Sequence, residues 1–373
     1  MTYFILDSIY IIILLLLNII LFVFRRKKKT LVPNKSCNYA IIIPARDESL
    51  VIKDTLDAIK RQNKNMDNTY VIIESKGDPT NEIATRMGAN VYIRKKPIKH
   101  TKGNAIDECL KDILKNNKHY DLYFVLDADN VISKNFIKNM LVYWKQGYEM
   151  ASSYRNMSNP KNWVSICSGL LFSLQNNLMN KQRSIFNKTI TLCGSGYYID
   201  GRIIEKLNGF PFYSLTEDFE FMIFMEENNV SNIYASNCEY YDEQPITLKA
   251  SIKQRTRWLK GIMSNNKKRK KSFQLLFSNF VSFLTIVFFV LLCIESVINF
   301  GFLITLLIMY LLTIVFTIIL FILDHNTINL NTIQKIKCVL LNPIFLLTYF
   351  ICLFCALLKK EVIWEKTPHI GND

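Results

Sequence analysis

A chain of 373 residues is long enough for one large domain or two smaller ones. Half of its residues are hydrophobic, but they concentrate at the two ends and leave a mixed middle. The formal net charge of +15 does not mark a nucleic-acid binder. Much of it sits in Arg25-Arg26-Lys27-Lys28-Lys29 and Lys267-Lys268-Arg269-Lys270-Lys271, each beside a long apolar run, and no base-stacking module accompanies either. Nine cysteines are scattered without disulfide or zinc spacing, and Cys352-x-x-Cys355 falls within an apolar run, which fits a reduced, cytoplasm-facing protein.

In chain order, residues 3–24 are apolar and long enough to span a bilayer, and five basic residues follow. A signal peptide would carry its basic region first, so residues 1–29 read as an uncleaved anchor with the chain cytoplasmic from residue 25. The next stretch, 30–246, reads as soluble α/β. Tyr39 to Ile43 is a strand stopped by Pro44, and a helix follows to about Gln62. Thr69 to Ile73 is a second strand, and Asp78-Pro79-Thr80 opens a helix with Asp as its cap. Asn90 to Ile93 is a third strand, Lys102 to Lys115 a helix, and the strand from Asp121 ends at Asp127. Strands alternating with helices predict βαβ crossovers and a largely parallel, Rossmann-like sheet. No Gly-x-Gly-x-x-Gly follows the first strand, which counts against a dinucleotide enzyme.

Asp127-Ala128-Asp129 closes the fourth strand, where open α/β sheets bind their ligands. Two carboxylates one residue apart can face one ligand, and they suit Mg²⁺ or Mn²⁺, which favour oxygen donors and share them with a diphosphate. Further on, a helix from about Ile246 to Met263, within an amphipathic interfacial stretch 247–272, carries Gln254, Arg257 and Trp258 at i, i+3 and i+4 on one face. Residues 273–323 form two apolar spans turning near Asn299-Phe300-Gly301, and 338–358 a third stretch interrupted at Asn342-Pro343. One anchor plus three spans puts the tail outside, yet Lys359, Lys360 and Lys366 favour a cytoplasmic tail; either the Pro343 segment is re-entrant or one span of 273–373 is misassigned.

Five stretches line up in order: Ile42-Ile43-Pro44-Ala45-Arg46-Asp47-Glu48, Lys102-Gly103-Asn104-Ala105, Asp127-Ala128-Asp129, Thr216-Glu217-Asp218 and Gln254-Arg255-Thr256-Arg257-Trp258. This order resembles the membrane-integrated family 2 glycosyltransferases, the group of cellulose, chitin and hyaluronan synthases. The resemblance implies a cytoplasmic GT-A domain flanked by transmembrane helices in the cell membrane. It implies Asp129 as the metal ligand, Asp127 on the nucleotide, Asp218 as general base and Glu217 as its helper. Capping of the following helix by Thr216 or Asp218 is a compatible alternative. Arg257 then suits a diphosphate and Trp258 a sugar ring. Cys193-Gly194-Ser195-Gly196 resembles the acceptor turn. Where the family has an Asp for the base or ribose, this sequence has Glu74, which keeps a nucleotide sugar, most simply a UDP-sugar, as the expected donor. Lys102 and Arg94 are candidate diphosphate contacts.

The implied function is an inverting hexosyl- or N-acetylhexosaminyl transfer from a nucleotide-diphospho-sugar to a growing polysaccharide or a glycolipid. The alternatives are a non-processive lipid glycosyltransferase or, in a different class, a catalytically inactive membrane scaffold or transport component.

Overall fold

The computed structural model describes residues 36–62, 65–95, 100–266, 293–323 and 330–358. The N-terminal anchor, the basic runs at 25–29 and 267–271, most of the first C-terminal span and the tail from Lys359 lie outside these residues.

Eight strands form one sheet in the order β3-β2-β1-β4-β7-β6-β8-β5. They are β1 (Tyr39–Pro44), β2 (Thr69–Ile73), β3 (Asn90–Ile93), β4 (Leu122–Val125), β5 (Val131–Ile132), β6 (Met150–Met157), β7 (Tyr197–Asp200) and β8 (Asn232–Asp242). The first four pair parallel, as the alternation of strands and helices predicts. The largely parallel reading fails beyond β4. There β7 inserts antiparallel against both β4 and β6, β5 pairs antiparallel with β8, and only β6 and β8 run parallel, so the sheet is mixed.

Side-chain alternation explains the three layers. From β1 and β4, Ala40, Ile42, Tyr123 and Val125 face helices α3 (Lys102–Lys115) and α8 (Glu217–Glu227). From the same strands, Ile41, Ile43, Leu122 and Phe124 face α1 (Ile52–Lys60) and α4 (Phe136–Lys145). Strands covered on both faces need unbroken apolar runs, which is what β1 and β4 provide. The short α2 (Thr80–Arg86) begins where expected, and Asp78 accepts the Thr80 N–H at 2.9 Å.

A third cluster joins the sheet domain to the C-terminal helices. Helix α5 (Trp163–Leu174), started by an Asn162–Ser165 capping box, runs into a π-helical turn, Gln175–Asn180, and then the short α6 (Lys181–Ile185). After β7 comes α7 (Gly201–Leu207), and after β8 comes α9 (Leu248–Asn266). Val164, Ile166 and Leu170 of α5 pack with Leu320 of α10 (Phe302–Leu323) and Phe345 of α11 (Thr332–Leu358). By length and composition α10 and α11 could each cross a membrane. Gly301, at φ +80°, turns the chain between helical residues 293–300 and α10, at the expected turn.

The expected break at Asn342-Pro343 is absent: α11 runs unbroken from Thr332 through a buried Pro343. Beside the proline, Asn342 donates to Thr317 Oγ1 of α10 at 2.9 Å, and the packing around it outweighs the lost backbone bond.

Arg255 fixes α11 to α9. It is 2 % exposed, donates to Thr348 Oγ1 at 2.7 Å, and its guanidinium lies 4.2 Å and 4.6 Å from the ring centroids of Phe345 and Tyr349. Truncating a side chain this large and this buried leaves a void and an unfilled hydroxyl. Arg255→Ala should therefore cost about 3 kcal/mol of stability, seen as a lower thermal midpoint in detergent. An unchanged midpoint would mean that other contacts hold the two helices together.

Candidate active site

One cavity of about 710 Å³ lies beyond the carboxyl ends of β1, β2 and β4, and it collects every expected site residue. Glu74, Lys102, Asp127, Asp129, Glu217, Asp218, Gln254, Arg257 and Trp258 all line it. The motif residues are separated by up to 184 positions in sequence (74 to 258) and reach one space through the topology.

The turn after β4 is built by short polar contacts. The Asp127 N–H donates to Ser195 Oγ at 2.8 Å and to Asn130 Oδ1 at 3.0 Å, and Ser195 Oγ in turn hydrogen-bonds Asn130. Ser195 thus ties the Cys193–Gly196 turn to the Asp127–Asp129 turn. Gly196, at φ +69°, accepts no other residue: a Cβ there would lie 2.1 Å from the Tyr240 ring. At Gly194, φ +78°, a Cβ would lie 3.6 Å from Lys102 Nζ and 3.8 Å from Asp218 Oδ2, so this turn directly faces the candidate base.

Lys102 and Arg94, both candidate phosphate contacts, are engaged with protein groups. The Lys102 ammonium hydrogen-bonds Asp127 Oδ1, donates to the Gly194 carbonyl at 2.6 Å and stands 3.8 Å from Glu217. Burial works against its charge, but Asp127 and Glu217 outweigh burial and raise its pKa. The Arg94 guanidinium donates to Glu74 at 2.6 Å and to Asn104 and Glu108 at 2.8 Å each. Arg94 therefore sets the position of Glu74, whose other oxygen lies 3.1 Å from His100 Nδ1.

Asp218 and Glu217 open α8. Thr216 occupies the N-cap position but its side chain makes no capping hydrogen bond, whereas Asp218 accepts the adjacent Phe219 N–H, one of the free donors of the first turn, at 2.8 Å. Burial raises both carboxyl pKa values, that of Glu217 to about 7. The Phe219 N–H, Lys102 and Arg155 draw Asp218 back down.

On α9, Gln254, Arg257 and Trp258 share the cavity face as their spacing predicts. Trp258 stands edge-on to Phe172, with ring centroids 5.9 Å apart, and so is a cavity wall as well as a candidate interfacial anchor. The opposite face of α9 is covered by α11 through Arg255 and through Lys260, which donates to the Ala356 carbonyl at 3.1 Å. Burial lowers the Arg257 pKa, and Nε of that guanidinium has no hydrogen-bond partner among the described residues. A half-buried guanidinium whose charge is kept by Glu217, Asp127 and Asp218 and whose Nε is open can donate to an anionic ligand.

Among the described residues, no group of three or more His, Cys, Asp or Glu forms a protein cage for a metal. Asp129 nonetheless fits Mg²⁺ or Mn²⁺, which take one or two carboxylates and complete their shell with phosphates and water. Its Oδ1 is oriented by Asn130 Nδ2 at 3.0 Å, whereas Asp127 is engaged with Lys102.

Arg155 on β6 and Asp242 at the end of β8 are among the cavity residues that carry no motif. The signal available for them is weak: an arginine inside a strand and an acid shortly before Pro245.

The family model described as "Glycosyl transferase family group 2" matches residues 124–323, and that of "Glycosyl transferase family 2" matches residues 40–203. The chain belongs to glycosyltransferase family group 2. Its domain is of the GT-A type, on a mixed eight-stranded sheet. "Probable glycosyltransferase YdaM" of Bacillus subtilis (strain 168) is 24 % identical over 238 residues, covering 60 % of this chain and 54 % of that protein. The chain thus spans about half the length of this curated relative. A solved structure, the mannosyltransferase PcManGT from Pyrobaculum calidifontis in complex with GDP-Man and Mn²⁺, superposes with a TM-score of 0.60 at 13 % identity. It covers 96 % of this chain and 99 % of that one, a likeness of fold. Mannosyl-3-phosphoglycerate synthase from Rubrobacter xylanophilus gives a TM-score of 0.44 at 15 % identity, over 62 % of this chain and 75 % of that one.

Glu217 makes a titration prediction. Its folded pKa, about 7, lies above the ordinary 4.5, so its contribution to stability is complete below pH 4.5 and is lost as the pH rises towards 7. Glu217→Gln should flatten the melting temperature over that window. A variant profile as steep as the parent's would assign the titration to another group.

Proposed function

We propose that this family 2 glycosyltransferase is a membrane-associated, inverting enzyme that moves a sugar from a nucleotide-diphospho-sugar to a hydroxyl of a glycan or glycolipid. The observation that carries the reading is the convergence of Asp127, Asp129, Asp218, Gln254, Arg257 and Trp258 on one cavity. In this mechanism Asp218 accepts the proton of the acceptor hydroxyl as its oxygen bonds to the anomeric carbon. The bond from that carbon to the diphosphate breaks on the opposite side, so configuration inverts and the electron pair leaves with the nucleoside diphosphate. Arg257 meets the charge that develops there, and Trp258 offers its face to a sugar ring. Asp129 would hold Mg²⁺ or Mn²⁺, which supplies further positive charge beside the diphosphate. Glu74, fixed by Arg94, would receive the base or ribose of the nucleotide, a UDP-sugar being the first donor to try and a GDP-sugar the second.

The basic run after residues 3–24 supports a cytoplasmic catalytic domain, and α10 and α11 support membrane attachment. Of the two acceptor readings, a single transfer to a lipid-borne acceptor has one observation in its favour. Leu346 and Tyr349, from the apolar helix α11, form part of the cavity wall, so an acceptor could reach the site along a membrane-facing helix.

The test is nucleotide release and sugar transfer from a panel of UDP- and GDP-sugars, with and without EDTA. Asp218→Asn and Asp218→Ala should both lose about 10³-fold in transfer, because an amide cannot take the proton, while nucleotide binding persists. Near-normal transfer by Asp218→Asn would move the base to Glu217. Asp129→Asn should abolish the Mn²⁺ or Mg²⁺ dependence of nucleotide affinity. Retained dependence would remove Asp129 as the metal ligand.

A further inference from the structure

We infer that Arg155 is a positioning residue for the transfer, holding the Cys193–Gly196 turn against the aromatic wall that ends in Trp258. The inference rests on the glycosyltransferase reading above and adds a residue that no motif marks.

The register of β6 against β8 prepares this position. Ser153 pairs with Ala235, but Tyr154 pairs with Glu239, so residues 236–238 bulge out of β8. A bulge re-aims the residues after it, and here it brings Asp242 level with Met157 and beside the Arg155 side chain. Arg155 Nε donates to Asp242 Oδ2 at 2.8 Å, and Nη2 bonds the same oxygen. The other carboxylate oxygen of Asp242 accepts from Gln244 Nε2 at 2.7 Å. Both oxygens are therefore engaged.

A buried ion pair is a poor source of stability, since desolvation offsets much of the attraction. The two side chains are only 12 % and 4 % exposed. What the pair does achieve is to hold a planar guanidinium in one orientation. From there Nη1 donates to the Cys193 carbonyl at 3.3 Å, and the guanidinium carbon lies 3.7 Å from the Phe172 ring centroid. Phe172 in turn meets Trp258 edge-on. One residue beyond Cys193, the Gly194 carbonyl accepts from Lys102. The Arg155 backbone carbonyl accepts Asn176 Nδ2 at 2.9 Å, which draws in the π-helical turn, a local geometry found often at functional sites. Arg155 thus links the turn facing Asp218 to the ring expected to carry a sugar.

The experiment compares Arg155→Gln, Arg155→Lys and Phe172→Ala with the parent, using UDP and GDP as binding probes and whichever nucleotide sugar the parent turns over. Each preparation is measured for nucleotide affinity, transfer to acceptor and acceptor-independent donor hydrolysis. Arg155→Gln should lose about 100-fold in kcat for transfer. Nucleotide affinity should stay within about threefold and hydrolysis should fall far less, so the ratio of transfer to hydrolysis collapses. Arg155→Lys should not restore the ratio, because a point charge cannot grip Asp242 and Cys193 at once. Phe172→Ala, which leaves the ion pair intact, should lower the same ratio and keeps the inference testable if Arg155→Gln fails to fold. An unchanged ratio in the folded variants, or an equal fall in affinity, hydrolysis and transfer, would overturn the positioning role. A parent that turns over no nucleotide sugar would instead overturn the reading beneath it.

Discussion

The ammonium group of Lys102 is the contact on which the rest of this cavity depends. Four carboxylates, Asp127, Asp129, Glu217 and Asp218, line one space. Left to themselves at such range in a partly desolvated site, they would repel one another and take up protons. Lys102 meets that repulsion from the first turn of α3. It bonds Asp127 and the Gly194 carbonyl and stands near Glu217, and so joins segments that the sequence separates by 25, 92 and 115 residues. The packing that brings it there is tight. At Gly103, the next residue, a Cβ would lie 1.8 Å from the Phe212 carbonyl oxygen, so glycine is what lets α3 approach the segment leading into α8.

Helix α9 divides its labour between two arginines. Residues two apart do not share a helix face, so Arg257 reaches the cavity while Arg255 is buried among Phe345, Thr348 and Tyr349 of α11. A helix with a candidate anion contact on one face and a candidate membrane helix on the other cannot move without disturbing both. The same α11 residue that stacks on Arg255, Tyr349, also lines the cavity. Helix α11 is thus part of the candidate site as well as a possible membrane attachment.

How legible each part was in the sequence follows from how local its cause is. Strand β4 and the acids that close it could be read directly, because a short apolar run followed by Asp-x-Asp needs no partner to be recognised. The face shared by Gln254, Arg257 and Trp258 followed from helical spacing alone. The antiparallel entry of β7 was not visible: Tyr197–Asp200 is a four-residue strand whose direction is set by its neighbours. Nor was the link between Arg155 and Asp242 legible, since it spans 87 residues and depends on a bulge in β8. The engagement of Arg94 was hidden for a similar reason. Its three acceptors lie on two segments, Glu74 just after β2 and Asn104 and Glu108 on α3, and no spacing in the sequence distinguishes a surface arginine from one buried beneath Glu74.

Glu217 and Asp218 are adjacent and both acidic, the first buried and the second half-buried, and their surroundings separate them. Glu217 has Lys102 at 3.8 Å as its nearest cation, and burial dominates, so its pKa rises to about 7 and it tends to hold a proton. Asp218 is also raised by burial, but it accepts the Phe219 N–H and feels Lys102 and Arg155 together. A general base has to be ionised before the acceptor arrives, and two neighbouring carboxyls with divergent environments are the usual means of dividing acid and base roles. The space beside Gly194 opens towards Asp218 Oδ2, where a hydroxyl would have to sit. On the proposed reading Asp218 is the base, and Glu217, raised to about 7 by burial, is its partly protonated neighbour.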